Sequence, residues 1–230
     1  VKGGYNQVNH GHLDLGNFEM DALGLRWVRD LGRDNYNLEG YWDKKKGGQR
    51  WTYYRNSSVS HSVPLLNGRN QNVLAEAKFT TFNSEESAAF VVVDLTEAYS
   101  DFANKTMRGV AMINNRRAVL IQDEFEIEKA CEITWAMTTD ADIDVTSKTI
   151  ATLTLKGRQM VAKILSPDGA RFSVESAEQE PPQMRNEGVK RLIVKTPGAK
   201  GDVRIAVLLS PVWAEANFVK TAELKPLSQW

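Results

Sequence analysis

The chain has 230 residues, is 42% hydrophobic and 25% charged, and carries 29 basic against 29 acidic side chains. That length can bury a substantial core, and no apolar run reaches the length of a membrane span. Zero net charge predicts no nucleic-acid or membrane partner, so any electrostatic recognition must be local.

In chain order, the first unusual stretch is QVNHGHLDLG (7–16), which holds two of the chain's three histidines, His10 and His12, with Asp14 close behind. FEMDALG and LRWVRDLG (18–32) predict a hairpin around Gly24. A long polar and aromatic stretch of weak periodicity then runs from Asn35 to about Gln71. Trp and Tyr concentrate in it between Tyr36 and Tyr54, which argues against disorder. A loop this long in a globular chain is usually functional.

From residue 73 onward, period-two alternation and β-branched residues dominate. Strands are predicted at 72–82, 88–96, 106–113, 117–127, 130–139, 149–157, 159–166, 170–177, 189–196 and 202–210. Turn residues fill the breaks, as in INNR, TTDAD, LKGR, SPDGA and TPGAKGD. TEAYSDFANK is read as one helical turn capped by Thr96, and PPQMRNEG as an exposed loop. Cys131, alone in the apolar run ACEITWAM, cannot form an internal disulfide and is read as a buried structural thiol. The expected fold is all-β: one large antiparallel β-sandwich over residues 1–230, with two or more stacked sheets, long loops near the N-terminus and at most one or two short helices. The opening VKGGYNQ, with neither initiator methionine nor signal-peptide pattern, reads as a piece of a longer chain.

On an extended segment, His-x-His points both imidazoles to one side, about 6–7 Å apart along the backbone. They suit two ligands of one metal, or one ligand beside one catalytic group. The third histidine, His61, lies in SSVSHSVPLLNG, and Asp14 and Asp30 are the acidic candidates. Two histidines, a carboxylate and an open position form a known zinc arrangement, although other divalent ions accept the same donors. The blander reading makes His10 and His12 loop or core residues held by backbone hydrogen bonds. HGHLD also resembles the opening motif of metallo-β-lactamase-type hydrolases, but Leu15 stands where that pattern continues with histidine.

The wider segments KGGYNQVNHGHLDLGNFEMDALGLRWVRDLG (2–32) and YYRNSSVSHSVPLLNGRNQ (53–71) resemble the C-terminal β-sandwich of heparinase II/III-like polysaccharide lyases. VVVDLTEAYSD and RRAVLIQDEFEI extend the likeness more diffusely. The resemblance implies a secreted or periplasmic enzyme that pairs this sandwich with an N-terminal helical toroid absent from the chain. It implies metal ligation by His12, Asp30 and His61, a catalytic histidine at His10, and an orienting role for Asp14. The implied metal is zinc or another divalent ion, mainly structural. Ser62 departs from the family pattern, where Asn is commoner.

Such lyases cleave acidic polysaccharides, glycosaminoglycan or alginate-like, by β-elimination. The proton α to a uronate carboxylate is removed, and the 4-linked oxygen leaves with a proton. The carbon acid is weak, so the carboxylate must be neutralised and a tuned acid and base supplied. By resemblance a tyrosine and a neutralising Asn or His come from the helical domain, which leaves this chain inactive, or nearly so, alone. Asn9, Tyr54 and Arg55 are the candidate substrate contacts on this side, with structural packing weighed evenly for Tyr54 and Arg55. Between Arg26 and Arg55, eight basic residues face four acidic ones, a local +4 suited to a polyanion. Trp27 and Trp135 are expected in the core, whereas Trp42 and Trp51 can either stack on sugar or pack the loop down. The alternative from another class is a non-catalytic carbohydrate-binding or structural sandwich whose histidines form a structural metal clip.

Overall fold

The computed structural model describes residues 1–214, 219 and 221–230. Its strands are β1 (Gly4–Tyr5), β2 (Met20–Ala22), β3 (Leu25–Val28), β4 (Leu65–Leu66), β5 (Glu76–Ser84), β6 (Ala89–Asp94) and β7 (Lys105–Ile113). There follow β8 (Ala118–Thr139), β9 (Asp142–Ser147), β10 (Ile150–Leu155), β11 (Arg158–Ser166), β12 (Phe172–Ser176) and β13 (Lys190–Pro211). Pairing is antiparallel throughout, in an 11-stranded sheet of order β1-β5-β6-β7-β8-β13-β11-β10-β9, with β4 added on β8 and β12 on β13. The hairpin β2-β3 forms a second sheet, turning through Leu23 and Gly24 at φ 55° and 76°, a left-handed pair that matches strand twist. The all-β antiparallel architecture is the expected one.

Two 22-residue strands, β8 and β13, form the spine. Each was expected as two strands. The polar breaks at 128–129 and 197–201 lie opposite one another, and the ladder absorbs them as register shifts around Ala199 without ending. A bulge costs one unpaired residue and adds a bend, which is cheaper than terminating a central ladder. Alternation survives the bend: Val119, Ile121, Phe125 and Ile127, then Cys131, Ile133, Trp135 and Met137, all join one buried cluster. Leu192, Val194, Ile205, Val207 and Leu209 of β13 meet them there, with Phe18 and Trp27 from the N-terminal third. On the opposite face, Ala118, Leu120, Ala206 and Leu208 are covered by Ala222, Leu224 and Trp230 of the C-terminal segment.

Two local expectations need correction. Strand β9 falls partly in the TTDAD break; it is a polar, mostly exposed edge paired only with β10, so no apolar alternation marked it. The turn at Thr96–Tyr99 is a 3-10 turn without a side-chain cap. Thr96 instead receives a bond on its hydroxyl from the Thr106 N–H, and its own N–H donates to Asp94 Oδ1. Trp230 packs edge-on against Phe90 at 5.9 Å. Cys131, Trp27 and Trp135 are buried as expected.

The long polar stretch is compact. Three short 3-10 turns, Gln49–Thr52, Tyr54–Asn56 and Ser58–Ser60, carry it across one end of the sheet. Among the described residues no helix is long and apolar enough to cross a membrane.

Candidate metal centre

Three separate segments supply the site, and buried polar side chains hold each one. The His10–His12 loop passes so close to its own start that a Cβ on Gly11 would collide with the Asn6 carbonyl oxygen. The fully buried Arg50 donates from Nε and Nη2 to the Gly11 carbonyl and from Nη1 to that of Tyr41. Asp30 follows β3, where the Arg29 N–H bonds the Thr138 carbonyl of β8. His61 ends the last 3-10 turn, fixed by Thr138 Oγ1 on the Ser60 carbonyl and the Thr138 N–H on Ser62 Oγ. Arg108 closes the frame. It makes a bidentate pair with Asp123, both fully buried, and its Nη1 reaches the carbonyls of Gly16 (2.9 Å) and Ser62 (2.6 Å). One guanidinium thus ties the two histidine-bearing segments to the sheet.

His12, Asp30 and His61 each offer a ligand atom within 4.8 Å of the others. His61 Nδ1 lies 2.6 Å from Asp30 Oδ2, and the His12 and His61 rings are 5.3 Å apart. Asn17 Nδ2 donates to Asp30 Oδ2 and the Gly32 N–H to Oδ1, while Asn17 Oδ1 accepts from the Ser62 N–H. Asn17 therefore bridges two of the three segments. Burial works against ionisation of Asp30, but the His61 hydrogen bond and charge, helped by the Gly32 N–H, outweigh it and hold the carboxyl below its usual range. Burial also opposes charge on His61, and the adjoining Asp30 carboxylate more than offsets this and raises its pKa. His12 is pushed down to about 3 by burial first and then by its charged neighbour His61.

The donor set suits a divalent ion. In the metal-free site His12 is neutral and Asp30 ionised near neutral pH, as ligation requires, whereas His61, its pKa raised by Asp30, would have to release its proton for an incoming ion. Nε2 of the fully buried His61 finds no hydrogen-bond partner among the described residues, an arrangement that normally carries a penalty.

His10 lies apart from this buried group, exposed and at φ 58°, a left-handed conformation that a non-glycine residue rarely adopts. Its ring sits against Tyr36 (5.7 Å) and Trp42 (5.3 Å). Asn9 is exposed beside it. Asp14 is outside the ligand group: it is buried and accepts a 2.6 Å ion pair from Lys2, which holds the loop.

Tyr54 and Arg55 are committed to the fold. Tyr54 packs against Leu31, Ala177 and Val189 with its hydroxyl buried. Arg55 donates from Nη1 to the carbonyls of Leu31 and Arg33, and from Nε to Asn186 Oδ1. Asn186 and Gln183, which accepts from the Tyr54 N–H, belong to the PPQMRNEG loop, so that loop is also a buttress. The local positive charge shrinks on folding. Arg26 pairs with Glu19 and Asp21, Arg29 with Asp140, and Arg50 is internal. The two loop tryptophans divide: Trp51 is buried and its Nε1 bonds the carbonyls of Lys44 and Lys45, whereas Trp42 is 48% exposed.

Arg50, Arg108, Asn17 and Gln71 escaped the sequence reading as site-building residues. Gln71 links the Leu15 backbone to the Tyr99 hydroxyl. Only Arg108 left a trace, as a charge at an inward position of an otherwise alternating strand, matched by Asp123 on the next.

Against known proteins, the family model described as "Heparinase II/III-like, C-terminal" matches residues 2–206. A heparinase III superposes with a TM-score of 0.72 at 19% identity, over 92% of this chain and 32% of that one. Heparan sulfate lyase HepC from Pedobacter heparinus gives 0.70 at 16% identity, over 90% and 32%. At such identities the likeness is one of fold. The chain spans about a third of the length of these structures. No curated protein sequence matches it.

Proposed function

Because this chain belongs to the heparinase II/III-like family through its C-terminal domain, we propose that it is the β-sandwich part of a polysaccharide lyase cleaving uronate-containing polymers by β-elimination. The observation that carries this reading is the convergence of His12, Asp30 and His61 on one point, two residues along the chain from a strained, exposed His10. The heparan sulfate and heparin lyases among the fold relatives favour a glycosaminoglycan as substrate. The active site is shared with a helical domain of the same parent protein, and the enzyme works in the periplasm or outside the cell.

In the reaction, the bond from C5 of the uronate to hydrogen breaks, and its electron pair forms the C4–C5 double bond. The C4–O bond breaks in turn, and the leaving oxygen takes up a proton. His10 is the group on this side that exchanges a proton with the substrate. His12, Asp30 and His61 would hold a divalent ion, zinc or another, whose charge would add to the links that Asn17, Arg108 and the His61–Asp30 contact already make between the segments. Arg50 keeps the Gly11 carbonyl turned inward, so His10 stays at the surface. Asn9 is the adjacent polar contact for substrate. Tyr54 and Arg55 act as props for the Asp30 segment.

The test compares the parent protein and this chain on heparin, heparan sulfate, chondroitin sulfate, hyaluronan and alginate, following the ultraviolet absorbance of the unsaturated uronate. Signal is expected from the parent alone, and abolished by His10→Ala with metal content unchanged. No product from a folded, metal-loaded parent on any of these polymers would overturn the reading.

A further inference from the structure

His10, Tyr36 and Trp42 form a surface triangle of rings, each pair of centroids between 5.2 and 5.7 Å apart. Tyr36 is 37% and Trp42 48% exposed, although both rest on the buried ring of Tyr41, 5.2 and 5.1 Å away. The layer beneath them is rigid. The Arg50 guanidinium lies 4.5 Å over Tyr41 while its donors are fixed on backbone carbonyls, and Arg33 stacks 4.7 Å over Tyr36. Large aromatic area left in water over a locked base implies a surface kept for contact.

The basic turn beside it is equally fixed. Trp51 Nε1 holds the carbonyls of Lys44 and Lys45, and Gln7 Nε2 reaches the Lys44 carbonyl at 2.7 Å. These bonds pin the backbone at Lys44 and Lys45, and with it the start of the Lys44–Lys46 run, next to the loop that carries His10. Of the eight basic residues counted between Arg26 and Arg55, Lys45 and Lys46 are exposed, and Lys45 makes a long 3.7 Å pairing to Asp43.

We infer that Tyr36 and Trp42 are a saccharide-stacking shelf, with Lys44–Lys46 as its cationic rim, seating one pyranose ring of a polyanionic polysaccharide against His10. The C–H face of the sugar packs on the rings, while carboxylate or sulfate groups on the same or the next sugar face the lysines. The shelf rests on the lyase reading for its substrate class, but ring contact needs neither turnover nor metal. Trp42 and Tyr36 are thereby positioning residues that bring the scissile unit to His10.

The experiment titrates this chain calorimetrically with hexasaccharides prepared from heparan sulfate, hyaluronan and alginate. Wild type is expected to bind at least one of them. Trp42→Ala weakens that binding about tenfold with melting unchanged, and Trp42→Phe restores it to within about threefold. Tyr36→Ala gives a smaller loss, and alanine at all three lysines flattens the salt dependence. Binding by Trp42→Ala equal to wild type overturns the shelf, as does absence of binding by wild type to all three hexasaccharides. Polymer turnover by the parent separates the two readings: a failed shelf leaves the absorbance signal in place, and a failed lyase reading leaves the binding loss in place.

Discussion

Along β8, eight side chains between Val119 and Met137 face one apolar cluster, whereas between residues 6 and 71 the chain is held by Asn6, Arg50, Ser58, Gln71 and, from β7, Arg108. The first region relies on burial, which is non-directional and tolerates exchange of one aliphatic residue for another. The second relies on directed bonds to backbone carbonyls, where each lost partner leaves a desolvated group unpaired. The contrast explains where chemistry is placed. A ladder cannot aim three side chains from distant segments at one point, but a polar network can, provided a rigid sheet lies beneath it.

The contrast is open to attack, most strongly at Arg108. Arg108→Met leaves Asp123 buried without its partner and frees the Gly16 and Ser62 carbonyls; a loss of about 3–5 kcal/mol is expected in denaturant unfolding. Ile133→Val, equally buried in the ladder, should cost about 1 kcal/mol. Equal losses from the two would erase the distinction. Next in size is the metal. Zinc at a hundredfold excess over its dissociation constant should stabilise the wild type by about 2.7 kcal/mol and His61→Ala not at all; a thermal shift that survives in His61→Ala would remove His61 from the ligand set. Arg50→Met should cost about 2 kcal/mol through the Gly11 and Tyr41 carbonyls, and hydrogen exchange at residues 9–13 should accelerate with it. His10→Gly relieves the φ 58° conformation and is expected to be neutral to about 1 kcal/mol stabilising, while ending turnover in the parent. Trp42→Ala, on the half-exposed shelf, should change stability by under about 0.5 kcal/mol.

How much was legible follows from the same contrast. Period-two alternation located most strands because burial of one face imposes it directly on neighbouring residues. It failed where burial was weak, at polar β9, and where two breaks compensated each other across β8 and β13. Each of those breaks looked like a terminus when read alone. Trp27, Trp135 and Cys131 were readable as core because their flanking residues alternate. Tyr54 and Arg55 were not readable, since their partners, Val189 and Asn186, lie more than a hundred residues away. The charge count between Arg26 and Arg55 misjudged the surface for a similar reason: Asp140, Glu19 and the Gly11 and Tyr41 carbonyls occupy three of its guanidinium groups only after folding.

The sequence by itself determined the strand pattern, the neutral overall charge, the His-x-His pair and the concentration of aromatic residues near it, because each is a property of adjacent residues. Tertiary structure decided that His12, Asp30 and His61 share one point while His10 stands outside it, that Trp42 faces water and Trp51 does not, and that Arg50 and Arg108 serve the backbone instead of a ligand. Those outcomes depend on which carbonyls and carboxylates are brought to a side chain from distant segments, and on how much water is removed from it. Neither quantity exists until the sheet has formed.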